Sequence, residues 1–260
     1  MLINSYIFGN LWTPQNLSGW VQLFIADSDN ISLDSSSGVS QLNDLSGNGY
    51  HATQAAPGNR PVWSATSFGG QGGISGGNTS TQNLIHSATQ PSTSFSTFII
   101  ATSLGLSNAY QVLYNSCAPN NQMRLNWYTR YNSVSRVYLS YTGASSTNPV
   151  LATSTSYVLT ATTSGAGTAP VTYNCRTNGT DGTTVTNPLY AGDTSDRRCL
   201  FTETTLGSTQ SPAIIGACGY INRVLASSEL QLIEGWAAWK YNFVANLPAG
   251  HPYKSSAPTN

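Results

Sequence analysis

The side chains that could do chemistry in this chain are sparse. Glu203, Glu229 and Glu234 are the strongest candidate acids or bases. Glycoside hydrolysis needs a pair of carboxylates about 5–10 Å apart. No E-x-D or E-x-x-x-E pattern puts such a pair on a strand, and Glu229 and Glu234 fall in a helix-forming stretch. Asp193 and Asp196 stand beside Arg197 and Arg198 in a polar segment, where surface pairing explains them. Gly73-Ile74-Ser75-Gly76-Gly77 satisfies G-x-S-x-G. A nucleophile elbow, however, needs a strand before that motif and a helix after it. The flanks here are rich in Gly, Asn and Thr, so we read a flexible loop and no catalytic residue.

Binding chemistry is better represented. Asp27, Asp29, Asn30 and Asp44 lie in or beside turns and supply the oxygen ligands that calcium prefers. The competing reading, which we favour, is that Asp27 and Asp44 bond their own backbone in Asx turns. No other cofactor is implied. Aromatic rings stack on the apolar faces of sugars while amides and hydroxyls bind the rim. Trp127, Tyr128 and Tyr131, with Arg130 between them, form the densest such group and are the glycan-contact candidates; Tyr138, Arg124, Asn126 and Asn132 lie close by. Trp127 and Tyr128 point to opposite faces of a strand, so at most one can face a groove. Core packing is the default for Trp127.

Cys117, Cys175, Cys199 and Cys218 are widely spaced, with no C-x-x-C and no histidine near a pair, which disfavours zinc. They allow three disulfide connectivities. Cys175 and Cys199 flank a polar loop and are the preferred pair, leaving Cys117 with Cys218; buried thiols are the equal competitor. Asn16, Asn30, Asn78 and Asn178 begin N-x-S/T sequons, which matter only in a eukaryotic secretory pathway.

Composition narrows the functional classes. The 260 residues carry 10 basic and 10 acidic side chains, for zero formal charge, and charged residues are only 8% of the total. So few cations cannot neutralise many phosphates, which argues against nucleic acid as a partner. No polybasic run suits an anionic membrane and no apolar stretch approaches the ~20 residues of a span. Met1-Leu2-Ile3-Asn4 has no basic n-region, so a signal peptide is not evident. Ser, Thr, Asn and Gly take the place of charge, with 14 Tyr and 6 Trp. That is an uncharged, hydrogen-bonding surface on a β scaffold.

The elements that must position these residues are mostly short strands. Val21–Ala26 and Val39–Leu42 come first, after an irregular arm over residues 1–20. Asp44-Leu45-Ser46-Gly47-Asn48-Gly49 is dense turn chemistry, and residues 64–83 read as a long Gly/Ser/Thr loop. Phe95–Thr102, Tyr110–Asn115, Met123–Tyr128, Arg136–Tyr141, Tyr157–Thr163, Val171–Asn174 and Ala213–Ala217 follow as strands. Many short strands between turn signals argue for an all-β sandwich or barrel. Ser228–Phe243 is the exception: Leu230, Ile233, Ala237 and Tyr241 form one helical stripe. We expect one domain over 21–260, with this C-terminal helix packed on it.

Two regions carry a family resemblance. One is Trp20–Asp27, Asp44–Gln54 and Arg60-Pro61. The other is the run Leu225–Pro252, above all Glu234-Gly235-Trp236-Ala237-Ala238-Trp239-Lys240 and Asn246-Leu247-Pro248-Ala249-Gly250-His251-Pro252-Tyr253. Together they resemble the laminin-G-like, concanavalin-A-like jelly-roll domains of bacteriophage virion and tail proteins and of some bacterial surface proteins. There, D-x-S-G-N-G follows the first strands, and a helix reading roughly E-G-Y-x-A-x-K-W is followed by L-P-x-x-H-P-Y. Two departures stand out: Ala226 replaces the usual Ser or Thr before the helix, which moves the cap to Ser227 or Ser228, and the Gly-rich loop at 69–80 has no counterpart.

The resemblance implies an antiparallel β-sandwich, a concanavalin-A-like jelly roll, with a structural or binding role rather than catalysis. It implies a virion location, reached by host lysis, as a capsid or tail decoration or receptor-binding protein. Its partners would be other virion proteins, further copies in a homo-oligomer, and a host-surface glycan. Trp12 and Trp20 in the arm are the candidate residues for docking on a neighbour. The alternatives are a soluble carbohydrate-binding lectin module and, behind it, a glycoside hydrolase.

Overall fold

The computed structural model describes residues 11–77, 79, 81–88, 94–104, 111–116, 125–131, 134–139, 154–165, 171–187, 198–202 and 212–260. In chain order the strands are β1 Trp20–Ile25, β2 Ile31–Leu33, β3 Val39–Leu42, β4 Ala52–Thr53, β5 Val62–Phe68, β6 Gln71–Gly76, β7 Leu84–Ile85, β8 Phe95–Ser103 and β9 Gln111–Ser116. There follow β10 Leu125–Tyr131, β11 Val134–Leu139, β12 Ser156–Ser164, β13 Val171–Thr177, β14 Thr180–Asp181, β15 Val185–Asn187, β16 Cys199–Leu200 and β17 Ala213–Ile221. Helix α1, Ser227–Lys240, comes after them.

These strands form two antiparallel sheets. The first runs β14-β13-β12-β8-β17-β6-β5, with β1 also on β17 and β15 also on β13. The second runs β11-β10-β9-β16-β7-β4-β3-β2. Between the sheets lies one core, including Phe24, Leu42, Ile99, Tyr114, Trp127, Leu200 and Cys218. A second core, with Leu23, Ile25, Phe98, Ile100, Leu230, Ile233, Trp236 and Tyr241, lies between the first sheet and α1. The alternation along β1 and β8 explains this division: Phe24 and Ile99 face the other sheet, while their neighbours Leu23, Phe98 and Ile100 face the helix. Covered on both faces, β8 is buried along its whole length, which is why its sequence reads as a near-continuous apolar run.

The expected β-sandwich with a C-terminal helix is thus what forms. Three details differ. First, the segment read as a loop over 64–83 contains the β5–β6 hairpin. Its glycines belong to a strand because neighbours press on them: a Cβ on Gly72 would run into the Ala26 carbonyl, and one on Gly76 would lie 2.8 Å from the Phe201 ring. Second, α1 spans 227–240 rather than 228–243, and its N-cap is Ala226. Ala226 has no capping oxygen, but Glu229 Oε2 accepts its N–H at 2.9 Å, and Arg223 grips the Glu229 carboxylate at 2.8 and 2.9 Å. The helix stops where Asn242 takes the left-handed conformation, φ 59°. Third, Trp12 and Trp20 are not exposed docking residues. Both are buried in the second core, Trp20 donating its indole N–H to Pro14 O at 2.7 Å. Trp12 N–H bonds Pro258 O at 3.1 Å, so this stretch is fastened to the C-terminal residues instead of projecting to a neighbour.

Candidate functional site

The D-x-S-G-N-G turn folds around one carboxylate. Asp44 is buried, and its Oδ1 accepts the N–H groups of Leu23 and Ser46, both at 3.0 Å. Its Oδ2 accepts Tyr50 N–H at 3.0 Å and the Ser46 hydroxyl at 2.7 Å. Asn48 then donates to the carbonyls of Trp20 and Val21, at 3.0 Å each, while Gly47 and Gly49 take positive φ. An oxygen pair this fully engaged clamps the turn to β1 and leaves no lone pair for a metal. Asp27 is likewise engaged, 2.9 Å from Lys240 Nζ, and Asp29 accepts from Ser28 Oγ. Asp44 thus follows the favoured Asx reading, whereas Asp27 pairs with Lys240 instead of its own backbone, and among the described residues no group of three or more His, Cys, Asp or Glu is arranged for a metal.

The second motif builds a buried ion cluster. Glu234, on α1, has no exposed surface. Its Oε1 accepts from Arg176 Nε at 2.7 Å and Thr160 Oγ1 at 2.8 Å; Oε2 accepts from Arg176 Nη2 at 3.1 Å. His251 Nε2 stands 3.2 Å from Oε2, while its Nδ1 accepts Tyr253 N–H, also at 3.2 Å. That pattern places the imidazole proton on Nε2. Arg176 also reaches Asp181 Oδ1 at 3.1 Å and Gly179 O at 2.9 Å. Gly179 sits at φ 82° with His251 so close that a Cβ would lie 2.7 Å from it. Gly235 has the Tyr253 side chain at 2.6 Å from the place of a Cβ. The E-G and H-P-Y parts of the motif are thus two halves of one clasp, closing the C-terminal segment over helix and sheet. Sequence reading found Glu234 and His251 but not Arg176 or Thr160, which lie 58 and 74 positions from Glu234. The available signal was a carboxylate beside Ile233 on the apolar side of the helix.

A third polar group, unforeseen in the sequence, lies within the second sheet. His86 stacks on Tyr114 at 5.5 Å and 9°, with Nε2 2.9 Å from Asn115 O. The Asn115 amide donates to Thr202 O at 2.7 Å and accepts Cys199 N–H at 3.2 Å. Tyr114 in turn donates to Gln22 Oε1 at 2.6 Å. All these side chains are buried.

The remaining candidates separate. Trp127 is a core residue, fully buried with its indole N–H 3.2 Å from Thr97 Oγ1, so it contacts no glycan. Tyr128, Arg130 and Tyr131 share its strand, paired to Tyr138, Ser135 and Val134 of β11, but their side chains lie outside the described residues. The expected Cys175–Cys199 bridge is absent: Cys175 is on β13 of the first sheet and Cys199 on β16 of the second, both as buried thiols. Cys218, on β17, is a buried thiol as well, its pKa pushed far up by burial. Cys117 lies outside the described residues. Gly73–Gly76 lie in β6 and the next element among the described residues is strand β7, which is no nucleophile elbow.

Among the described side chains, one open row carries no charge. On the outer side of the second sheet, Ser32, Gln41, Thr53 and Ile85 are successive cross-strand partners over β2, β3, β4 and β7. Ser32, Thr53 and Ile85 are exposed, whereas the next pair along these strands, Leu42 and Ala52, is core. The row spans about 14 Å at the usual ~4.8 Å strand spacing. It can offer hydroxyls, an amide and a small apolar patch, and no charge.

Taken together, the described residues form a β-sandwich of two antiparallel sheets with one helix packed on it. No protein-family model and no curated protein matches the chain. Several solved structures share its fold. The receptor-binding domain of botulinum neurotoxin type G is 13% identical over 86% of this chain and 51% of that one, with a TM-score of 0.51. Domain 4 of AbnA, an extracellular GH43 arabinanase from Geobacillus stearothermophilus solved with arabinotriose, is 11% identical over 82% of this chain and 97% of that domain, with a TM-score of 0.50. The Trypanosoma rangeli sialidase in complex with the inhibitor DANA is 13% identical over 90% of this chain, with a TM-score of 0.50, and this chain covers only 35% of it. At these identities the likeness is one of fold.

Proposed function

We propose that this protein is a non-catalytic binding module that holds an uncharged surface against a neutral ligand, a host-surface glycan, and that it does so on a bacteriophage particle. The observation that carries the reading is how the described ionisable groups are used. Asp34 pairs with Arg60, Glu229 with Arg223, Asp27 with Lys240, Glu234 with Arg176 and His251, and Asp44 binds backbone N–H groups. Each holds two segments of the chain together, and the two carboxylates that meet on one partner, Glu234 and Asp181, are bridged by the Arg176 guanidinium rather than set across a cleft as glycoside hydrolysis requires. What remains for function is surface hydrogen bonding and aromatic contact, which suits passive recognition. The virion assignment rests on the two motifs that resemble phage jelly-roll domains, and repeated positions on a particle favour a symmetric homo-oligomer.

A soluble lectin module is the second reading. It draws on the arabinanase domain, which is nearly the same size as this chain's sandwich and was solved with a trisaccharide. A glycan array probed with the purified chain tests the binding reading: saturable, salt-insensitive binding of neutral glycans is expected, and none at millimolar sugar overturns it. Mass spectrometry of purified particles separates virion protein from soluble lectin. Stoichiometric presence is the expected result. Turnover of a polysaccharide by the purified chain would refute the non-catalytic reading.

A further inference from the structure

We propose that the exposed indole of Trp239, held by the Tyr253 carbonyl, is a stacking site for one ring of a neutral saccharide. This rests on the binding-module reading and gives it a place on the helix side of the sandwich. Along α1 the neighbouring side chains all have tasks within the fold. Glu234 anchors the ion cluster, Trp236 fills the second core, and Lys240 binds Asp27. Just past the helix, Tyr241 donates its hydroxyl to Gly216 O at 2.8 Å. Trp239 is different. It is 41% exposed, the one aromatic among the exposed large apolar side chains of the described residues.

Its ring is nevertheless held. The indole N–H donates to Tyr253 O at 2.9 Å. Tyr253 is seated against Gly235 and lies 6.0 Å, centroid to centroid, from His251, which is fastened to Glu234. The buried clasp therefore orients the platform. With the N–H already used, the indole has only its π face and apolar edge to offer. A ring that is already fixed loses little freedom on binding. Lys240, the adjacent cation, is paired with Asp27 at 2.9 Å, so it places no unbalanced charge beside the platform.

Size suits the occupant. A whole Trp side chain presents roughly 150–250 Å², so the exposed part of Trp239 amounts to about 60–100 Å². That is comparable to the apolar face of one sugar ring.

The test uses the full chain labelled with 5-fluorotryptophan, the Trp239 resonance being assigned with Trp239→Phe. Neutral pentose and hexose trisaccharides are titrated in. The expected result is a saturable shift of the Trp239 resonance, an unmoved Trp127 resonance, and affinity weakened about tenfold or more by Trp239→Ala. The fluorine readout on the unmutated fold holds even if Trp239→Ala unfolds. Saturable binding with the Trp239 resonance unmoved and Trp239→Ala unaffected overturns the platform while leaving the module reading intact. No saturable saccharide binding overturns both. A Trp239 shift that follows protein concentration without sugar marks self-association and also overturns the proposal.

Discussion

Replacing Glu234 by glutamine tests the buried clasp directly. The carboxylate is fully enclosed and neutralises Arg176, whose guanidinium approaches it at 2.7 and 3.1 Å. Glutamine keeps the shape and one carbonyl oxygen but turns the other oxygen into an NH₂ donor, facing a guanidinium or the His251 N–H. Arg176 retains Asp181, but that side chain is 64% exposed and its charge is screened by water. Removing one partner of a buried ion pair costs about 3–5 kcal/mol. Each kcal/mol moves the melting temperature of a chain this size by ~2–4 °C, so Glu234→Gln should melt about 6–20 °C lower. Circular-dichroism melts and urea unfolding measure this. Amides of residues 248–254 should lose hydrogen-exchange protection before the sheets do. The double variant Arg176→Met, Glu234→Gln should be less destabilised than the sum of the single changes, because it leaves no orphaned cation. A loss below about 1 kcal/mol, or strict additivity, would show that these groups are not charge-paired in a dry interior.

Other expectations follow from the same geometry. Asp44→Ala strips acceptors from buried Leu23 N–H as well as Ser46 and Tyr50, and should cost about 2–4 kcal/mol in urea unfolding, with Asp44→Asn milder; an unchanged midpoint would contradict the clamp. Hydrogen bonds from Arg223 hold Glu229 below its ordinary 4.5, and those from Arg60 hold Asp34 below 3.8. Depressed carboxylate pKa values add stability that is complete above those ordinary values and lost as pH falls through the folded ones. Urea midpoints should therefore drop below about pH 4.5, and Arg223→Gln should flatten that limb; a pH-independent midpoint would refute it. Cys175, Cys199 and Cys218 should resist thiol reagents in the folded chain and react after unfolding without reductant. Peptide mapping that finds any of them in a disulfide would overturn the assignment.

Much of this architecture could be read along the chain because it is set by local periodicity. The run Phe95–Thr102 announced a strand, and Leu230, Ile233, Ala237 and Tyr241 announced the helical stripe. Both motifs were visible, and so was Asp44's preference for its own backbone over calcium. The reading failed where local signals mislead. Glycines in Gln71–Gly76 look like a loop in one dimension, but the Ala26 carbonyl and the Phe201 ring, both distant in sequence, require their lack of a side chain. Trp12 and Trp20 looked like an exposed arm because the helix and tail that cover them lie more than 200 positions away. Cys175 and Cys199 flank a loop yet belong to different sheets.

Composition alone settled the neutral, hydroxyl- and amide-rich character of the surface and the all-β scaffold beneath it, since both depend on residue type and on neighbours a few positions apart. Which aromatic is core and which is free was decided by the tertiary structure. Trp127 is sealed between two sheets, while Trp239, in an equally apolar run, is left facing out with its N–H tied to the tail. The joining of Glu234 to Arg176 and His251 likewise exists only after folding, because a buried charge must find its partner across space, and chain position does not constrain that choice.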